Sequence, residues 1–168
     1  MIRKPTVALV RYEEPLASVR RVVDLSGGLD HLPAGARVFI KPNIIFWTRK
    51  TVFPKYGVLT TSRLVEDAVG LLKERGIDDI TIGEGLVTRN PKDRETPLHA
   101  FDTLGYNKLS KRYGVKVLDL HERPFEEVDL GDDVTLSFNA DYLATDFLVN
   151  IPVLKCHAQT MVSLGIKN

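Results

Sequence analysis

TTSRLVEDAVGLLKERGIDDITIGEG, residues 60–85, decides how the chain is built. Its opening hydroxyl residues suit a helix N-cap, Leu64, Val65, Ala68, Val69, Leu71 and Leu72 share one helical face, and Gly76 marks the stop. The pattern then changes: Asp79 to Ile82 reads as a short strand that ends in Gly83-Glu84-Gly85. A one-faced helix leading directly into a strand is the back half of a crossover between parallel strands.

The neighbouring segments repeat this alternation. Upstream, Ala36 to Ile40 reads as a strand broken by Lys41-Pro42-Asn43, because proline disfavours helical geometry in the residue before it. Earlier still, Thr6 to Val10 is an apolar, β-branched run that predicts a strand. Pro15 then opens a helix with Leu16, Val19, Val22 and Val23 at helical spacing, ending at Gly27-Gly28. Downstream, a looser helix spans about Leu98 to Tyr113 before Gly114, and Val115 to Leu118 is a further strand. Glu127 to Leu130 and Val134 to Phe138 flank the turn signal Gly131-Asp132-Asp133 and predict a hairpin. Phe147 to Ile151 is the last apolar run, closed by Pro152 and followed by Lys155-Cys156-His157 and a predicted short helical tail. The sum predicts an α/β fold: a three-layer, Rossmann-like, mostly parallel sheet with helices on both faces and a small β-hairpin insertion. With 168 residues, 43% of them hydrophobic, one domain spanning residues 1–168 is expected. Strand order is not readable from the pattern.

The net charge is +1 and charged residues are dispersed, so no broad field steers the chain to nucleic acid or membrane, and any anion site must be local. Met1 to Pro5 leads into the first predicted strand without a signal-peptide pattern, and no segment approaches the roughly 18 apolar residues of a membrane span. A cytoplasmic location is expected. The single cysteine, Cys156, excludes an intrachain disulfide and a four-thiolate iron–sulfur or zinc site built by this chain alone. P-loop, nucleophile-elbow and His-Glu-x-x-His patterns do not occur, and Thr88 stands where a dinucleotide fingerprint beginning at Gly83 needs its third glycine.

In open parallel sheets ligands bind outside the carboxyl ends of the strands, so the residues that follow each apolar run carry the information. Lys41 offers a compact positive charge and Asn43 both donates and accepts; a solvated strand end is the alternative. Thr60 and Thr61 open a helix whose free amides and dipole favour an anion, although an ordinary N-cap explains one of them. Gly83 and Gly85 permit close backbone approach on both sides of Glu84, which suits a base, a metal ligand or a turn cap. His157, near Lys155, is the histidine best placed for acid–base work or metal binding, whereas His31, His99 and His121 read as structural or exposed. Cys156 is a reactive thiol if Lys155 and His157 lower its pKa, and an inert cysteine otherwise. Between Lys41 and Thr60 runs a long connection with Phe46, Trp47, Arg49, Lys50, Phe53, Lys55 and Tyr56. Its length suits a lid or an oligomer interface, and its composition also suits stacking on a base or flavin or, well behind these, binding single-stranded nucleic acid.

In order, Lys41-Pro42-Asn43, Thr60-Thr61, Gly83-Glu84-Gly85, Gly105-Tyr106, Asn150-Ile151-Pro152, Leu154-Lys155-Cys156-His157 and Leu164-Gly165-Ile166-Lys167-Asn168 resemble the motif series of domain-of-unknown-function family 362. Many members of that family resemble fusions with a ferredoxin-like segment carrying two four-iron clusters, so the resemblance implies a redox context without implying a cluster here. Cys156 stands where members usually have threonine, and members typically continue beyond the motif ending at Asn168, which implies a truncated second half.

Three readings follow. In the first, a redox-linked, enzyme-type domain holds a small anionic substrate or cofactor at the strand ends, with Lys41, Lys155 and Lys167 neutralising charge. Asn43 and Asn168 orient that ligand, and Glu84 and His157 serve as acid–base or metal-binding groups. The second is a non-catalytic module whose aromatic loop docks a ferredoxin-like partner or delivers a cofactor, and the third is a structural, homo-oligomeric protein. Cofactor and metal are unassigned.

Overall fold

The structure, a computed structural model, describes residues 6–50, 57–88, 90, 92–157, 159–166 and 168. In chain order its elements are α1 (Ala17–Ser26), β1 (Val38–Pro42), α2 (Ser62–Glu74), β2 (Ile80–Glu84), α3 (Glu95–Thr103), α4 (Tyr106–Tyr113), β3 (Lys116–Asp119), β4 (Phe125–Asp129), β5 (Thr135–Asn139), the single-turn α5 (Ala140–Leu143), β6 (Phe147–Ile151), β7 (Lys155–His157) and β8 (Met161–Ser163). Four strands pair in parallel in the order β3-β2-β1-β6. Antiparallel ribbons β4–β5 and β7–β8 stand apart from that sheet.

This order distributes the layers. Crossovers between parallel strands are right-handed, so the steps from β1 to β2 and from β2 to β3, taken in one direction, carry α2, α3 and α4 over one face. Val38, Ile40, Ile80 and Ile82 point into that layer and share a core with Val65, Val69 and Leu72 of α2 and Leu109 of α4. Each such aliphatic side chain contributes about 1.5–3 kcal/mol on burial. The return from β3 to β6 runs the other way and crosses the opposite face. There Phe39, the alternate residue of β1, meets Tyr142 of α5 edge to face at 5.1 Å. The second helical layer is thus thin, and beside α5 it leaves a cavity of about 520 Å³ lined by Arg37, Thr81, Lys116, Leu118 and Asp141 among others.

Register between β1 and β6 is pinned by the residues immediately before them. The Arg37 guanidinium grips the Asp146 carboxylate through Nε–H to Oδ2 (3.1 Å) and Nη2–H to Oδ1 (3.0 Å), and the Arg37 amide donates to Oδ2 at 2.9 Å. Helix α2 stops where the sequence indicates: Gly76, at φ 76°, takes a left-handed turn, and the Ile77 amide reaches back to the Leu72 carbonyl at 3.1 Å.

Four expectations need correction. Thr6 to Val10 forms no strand; Val7 is 92% and Leu9 99% exposed, and no backbone hydrogen bond pairs the segment with another described residue. Strand pairing extends past the apolar runs, so Lys41 and Pro42 lie inside β1, opposite Asn150 and Ile151, and Gly83 and Glu84 lie inside β2. The helix expected over 98–113 is two helices, because Gly105 at φ 80° breaks the hydrogen-bond ladder between α3 and α4. The predicted helical tail is instead the β7–β8 ribbon, in which Lys155 pairs with Ser163 and His157 with Met161.

Candidate functional site

The chain leaves β1 towards β2 and β3 and then returns to the other side of β1 as β6, and in parallel sheets the carboxyl ends of strands beside such a reversal are the usual place for a ligand. Asn43, one residue beyond β1 and 1% exposed, lies at the centre of a polar cluster there. Its Nδ2–H donates to Asn168 Oδ1 at 2.7 Å, and its Oδ1 accepts from Lys155 Nζ, which also donates to the Val58 carbonyl at 2.8 Å. Asn168 Nδ2–H continues to Asn150 Oδ1 at 2.6 Å, and Asn150 Nδ2–H to the Gly165 carbonyl at 2.7 Å. Asparagine suits each of these places because its amide both donates and accepts.

Thr60 joins the two strands. Its hydroxyl accepts the Asn43 amide at 2.8 Å and donates to the Ile151 carbonyl at 2.6 Å. That use leaves Thr61 as the N-cap of α2, and Thr61 makes no side-chain bond to the first-turn amides.

Glu84, 3% exposed, is surrounded by donors. Oε1 accepts from Lys41 Nζ at 2.6 Å and from the Gly85 amide at 3.0 Å, and Oε2 accepts the Ile44 amide at 2.9 Å. The ion pair offsets the cost of burying both charges. Burial, and next the charge of Glu84, push the Tyr106 phenol up, so it remains protonated, and its hydroxyl is buried without a hydrogen-bond partner among the described residues. Ser163 Oγ is in the same condition and stands opposite Lys155 in the β7–β8 ribbon. Asp119, at the end of β3 in register with Glu84, accepts the His121 amide at 3.0 Å.

Beyond the polar cluster the chain after β1 zips onto the chain after β2. Ile45 sits at φ 61°, a strained conformation for a β-branched residue, its carbonyl accepts the Val87 amide at 2.6 Å, and Phe46 bridges to Val87. The turn delivers Phe46 to the wall of a second cavity of about 260 Å³, shared with Trp47, Lys50, Thr88, Asp93 and Thr96.

All of the polar cluster falls within the stretch, residues 38–168, that matches the family model Domain of unknown function (DUF362). The chain belongs to that family. Thylakoid-associated protein sll1697 from Synechocystis sp. (strain ATCC 27184 / PCC 6803 / Kazusa) is similar: 26% identical over 155 residues, which is 91% of this chain and 44% of that protein. The chain therefore spans less than half the length of this relative. No solved structure matches it.

Of the predicted residues, this DUF362 chain brings Lys41 to Glu84, and Asn43 to Thr60, Lys155 and Asn168. Lys167 lies outside the described residues, as do Phe53, Lys55 and Tyr56. His157 is occupied elsewhere: its Nδ1 accepts the Gln159 and Thr160 amides at 3.1 and 3.3 Å in the β7–β8 turn. Gly83 owes its identity to packing, since a Cβ there would come within 2.3 Å of the Phe39 ring. Gly85 borders His121, whose Nε2 would be 3.2 Å from an added Cβ. His99 has a partner that its sequence context hides: Trp47 Nε1–H donates to its Nδ1 at 2.8 Å. Cys156 is exposed. Among the described residues no group of three or more His, Cys, Asp and Glu side chains is arranged to hold a metal, and no helix is long and apolar enough to cross a membrane.

Proposed function

We propose that this domain holds a small anionic substrate or cofactor in the crevice between β1 and β6. The observation that carries the reading is the buried Asn43, clamped between Lys155 and Asn168 beside the N-terminus of α2. That helix has thirteen residues, and its N-terminus is left without a side-chain cap. Its dipole and first-turn amides attract negative charge, Thr61 adds a hydroxyl, and Lys155 supplies the cation. Lys41 is committed to Glu84, so it stiffens the strand ends in place of meeting the ligand. Glu84, with three donors on its carboxylate, is an anchor. His121, exposed and packed over Gly85, takes the acid–base role that the sequence pattern gives to His157. The redox context implied by the family resemblance fits an anionic cofactor at this place.

Lys41→Ala is a poor test, since removing one partner of a buried pair costs about 3–5 kcal/mol. Thr61→Ala and Lys155→Met are better. Inorganic phosphate and malonate, titrated calorimetrically into the wild-type chain, should show saturable binding by at least one anion. Each substitution should weaken that binding by roughly tenfold, or about 1.4 kcal/mol. Thr61→Ala should leave the melting temperature unchanged, because its hydroxyl caps nothing. Equal affinity in both variants, or no saturable binding of either anion, overturns the proposal.

A further inference from the structure

We infer that the ligand of this crevice carries an aromatic ring, seated in the cavity behind Phe46, so that the site takes a mononucleotide-type molecule: one planar ring system joined to a phosphate. The inference rests on the anion reading above and specifies its ligand. Three observations converge on it. First, crevice and cavity share one stretch of backbone. Asn43 and Phe46 are three residues apart, so their Cα atoms are at most about 11 Å apart, a distance that a ring, a sugar or ribityl chain and a phosphate can span.

Second, the cavity has the lining that ring recognition needs. Phe46 is 42% exposed at the wall, Trp47 is 5% exposed beside it, and Thr48, Arg49, Lys50, Thr88, Asp93 and Thr96 complete the lining. Two aromatic side chains among polar and basic ones are a composition that suits stacking on a ring joined to an anion. Its one lining carboxylate is already used: Asp93 accepts the Thr96 hydroxyl and the Thr96 and Glu95 amides, which hold its pKa below the ordinary value, while the lining Arg49 pairs with Glu95 outside the cavity. Repulsion of an anionic ligand is reduced accordingly, and Lys50 adds a cation.

Third, the backbone is strained where it serves this arrangement. Ile45 holds a positive φ between Asn43, which serves the crevice, and Phe46, which serves the cavity. Such outliers persist where surrounding structure over-determines them, commonly at ligand clamps. Volume limits the class. At about 260 Å³ the cavity lies below the roughly 300–1,000 Å³ of drug-sized pockets, a size that matches one ring system better than the two of a dinucleotide. The failed dinucleotide fingerprint at Thr88, a residue that lines this cavity, agrees.

Trp47 is the sole tryptophan and lines the cavity, so its emission reports occupancy. AMP, FMN and inorganic phosphate would each be titrated into the wild-type chain and into Phe46→Ala and Phe46→Leu, with affinities from calorimetry and location from Trp47 fluorescence. AMP or FMN should bind at least tenfold more tightly than phosphate and perturb Trp47 saturably. Phe46→Ala should weaken that ligand at least fivefold and leave phosphate affinity unchanged, with Phe46→Leu in between. Preference for AMP identifies a nucleotide, and preference for FMN a flavin. Phosphate binding as tight as either, or nucleotide affinity indifferent to Phe46, overturns the ring site and leaves the anion crevice standing. Failure of all three ligands to bind overturns both.

Discussion

Gly83 and Glu84 are adjacent in β2 and face opposite sides of the sheet, so two neighbouring positions answer to different constraints. The space that a Gly83 side chain would fill belongs to Phe39. Gly83→Ala should destabilise the protein by about 1–3 kcal/mol through overpacking, read as a lower urea midpoint at unchanged slope. Adding Phe39→Leu should return part of the loss, because the two sites share one volume. Lost anion affinity at full stability would instead restore Gly83 to the ligand. In the sequence Gly-x-Gly advertises close approach without naming the approaching group; here it is an aromatic ring on one side and the His121 imidazole beside Gly85. The Asn43 cluster is legible only in part for a similar reason. Lys41, Asn43 and Lys155 stand out as polar residues after apolar runs, whereas the contacts that join them, Thr60 to Ile151 and Asn168 to Asn150, link positions far apart in the chain.

Elements were readable where the hydrophobic period was strong and misread where pairing or a single glycine overrode it. Helix α2 shows its apolar face and its stop in sequence, and both occur as expected. The strand ends do not, because backbone pairing with β6 carries β1 through Lys41 and Pro42 whatever their polarity. The same pairing depends on the clamp at its start, which titrates. The hydrogen bonds from Arg37, first its side chain and then its amide, hold the Asp146 carboxyl down from 3.8 to about 2. A carboxyl more acidic in the folded state than in the unfolded one stabilises the fold above its unfolded pKa and loses that contribution as pH falls through the folded value. Asp146→Asn should therefore lower the melting temperature at neutral pH. The gap from wild type should close between about pH 4 and about pH 2. A gap that persists unchanged into acid would assign the loss to the amide's poorer geometry and not to charge.

At the scale of the molecule, alternation in the sequence announced parallel strands and crossovers, but not that β6 would return to the far side of β1. That placement brings the polar strand ends of β1 and β6 together and leaves one face thinly covered, and it arises from contacts far apart in the chain, which period and propensity do not encode. Thr6 to Val10 shows the same limit from the other direction. Its composition is that of a strand, yet Val7 and Leu9 are almost fully exposed, so here intrinsic preference finds no pairing edge to act on. Val7→Lys with Leu9→Lys should then shift stability by no more than about 0.5 kcal/mol in urea denaturation, as for other surface changes. A loss above about 2 kcal/mol that is independent of protein concentration would mean that the segment packs within its own chain. A loss that appears only at high concentration would mean that it pairs with a second copy, since two chains could each lend an unpaired strand to the other's open edge.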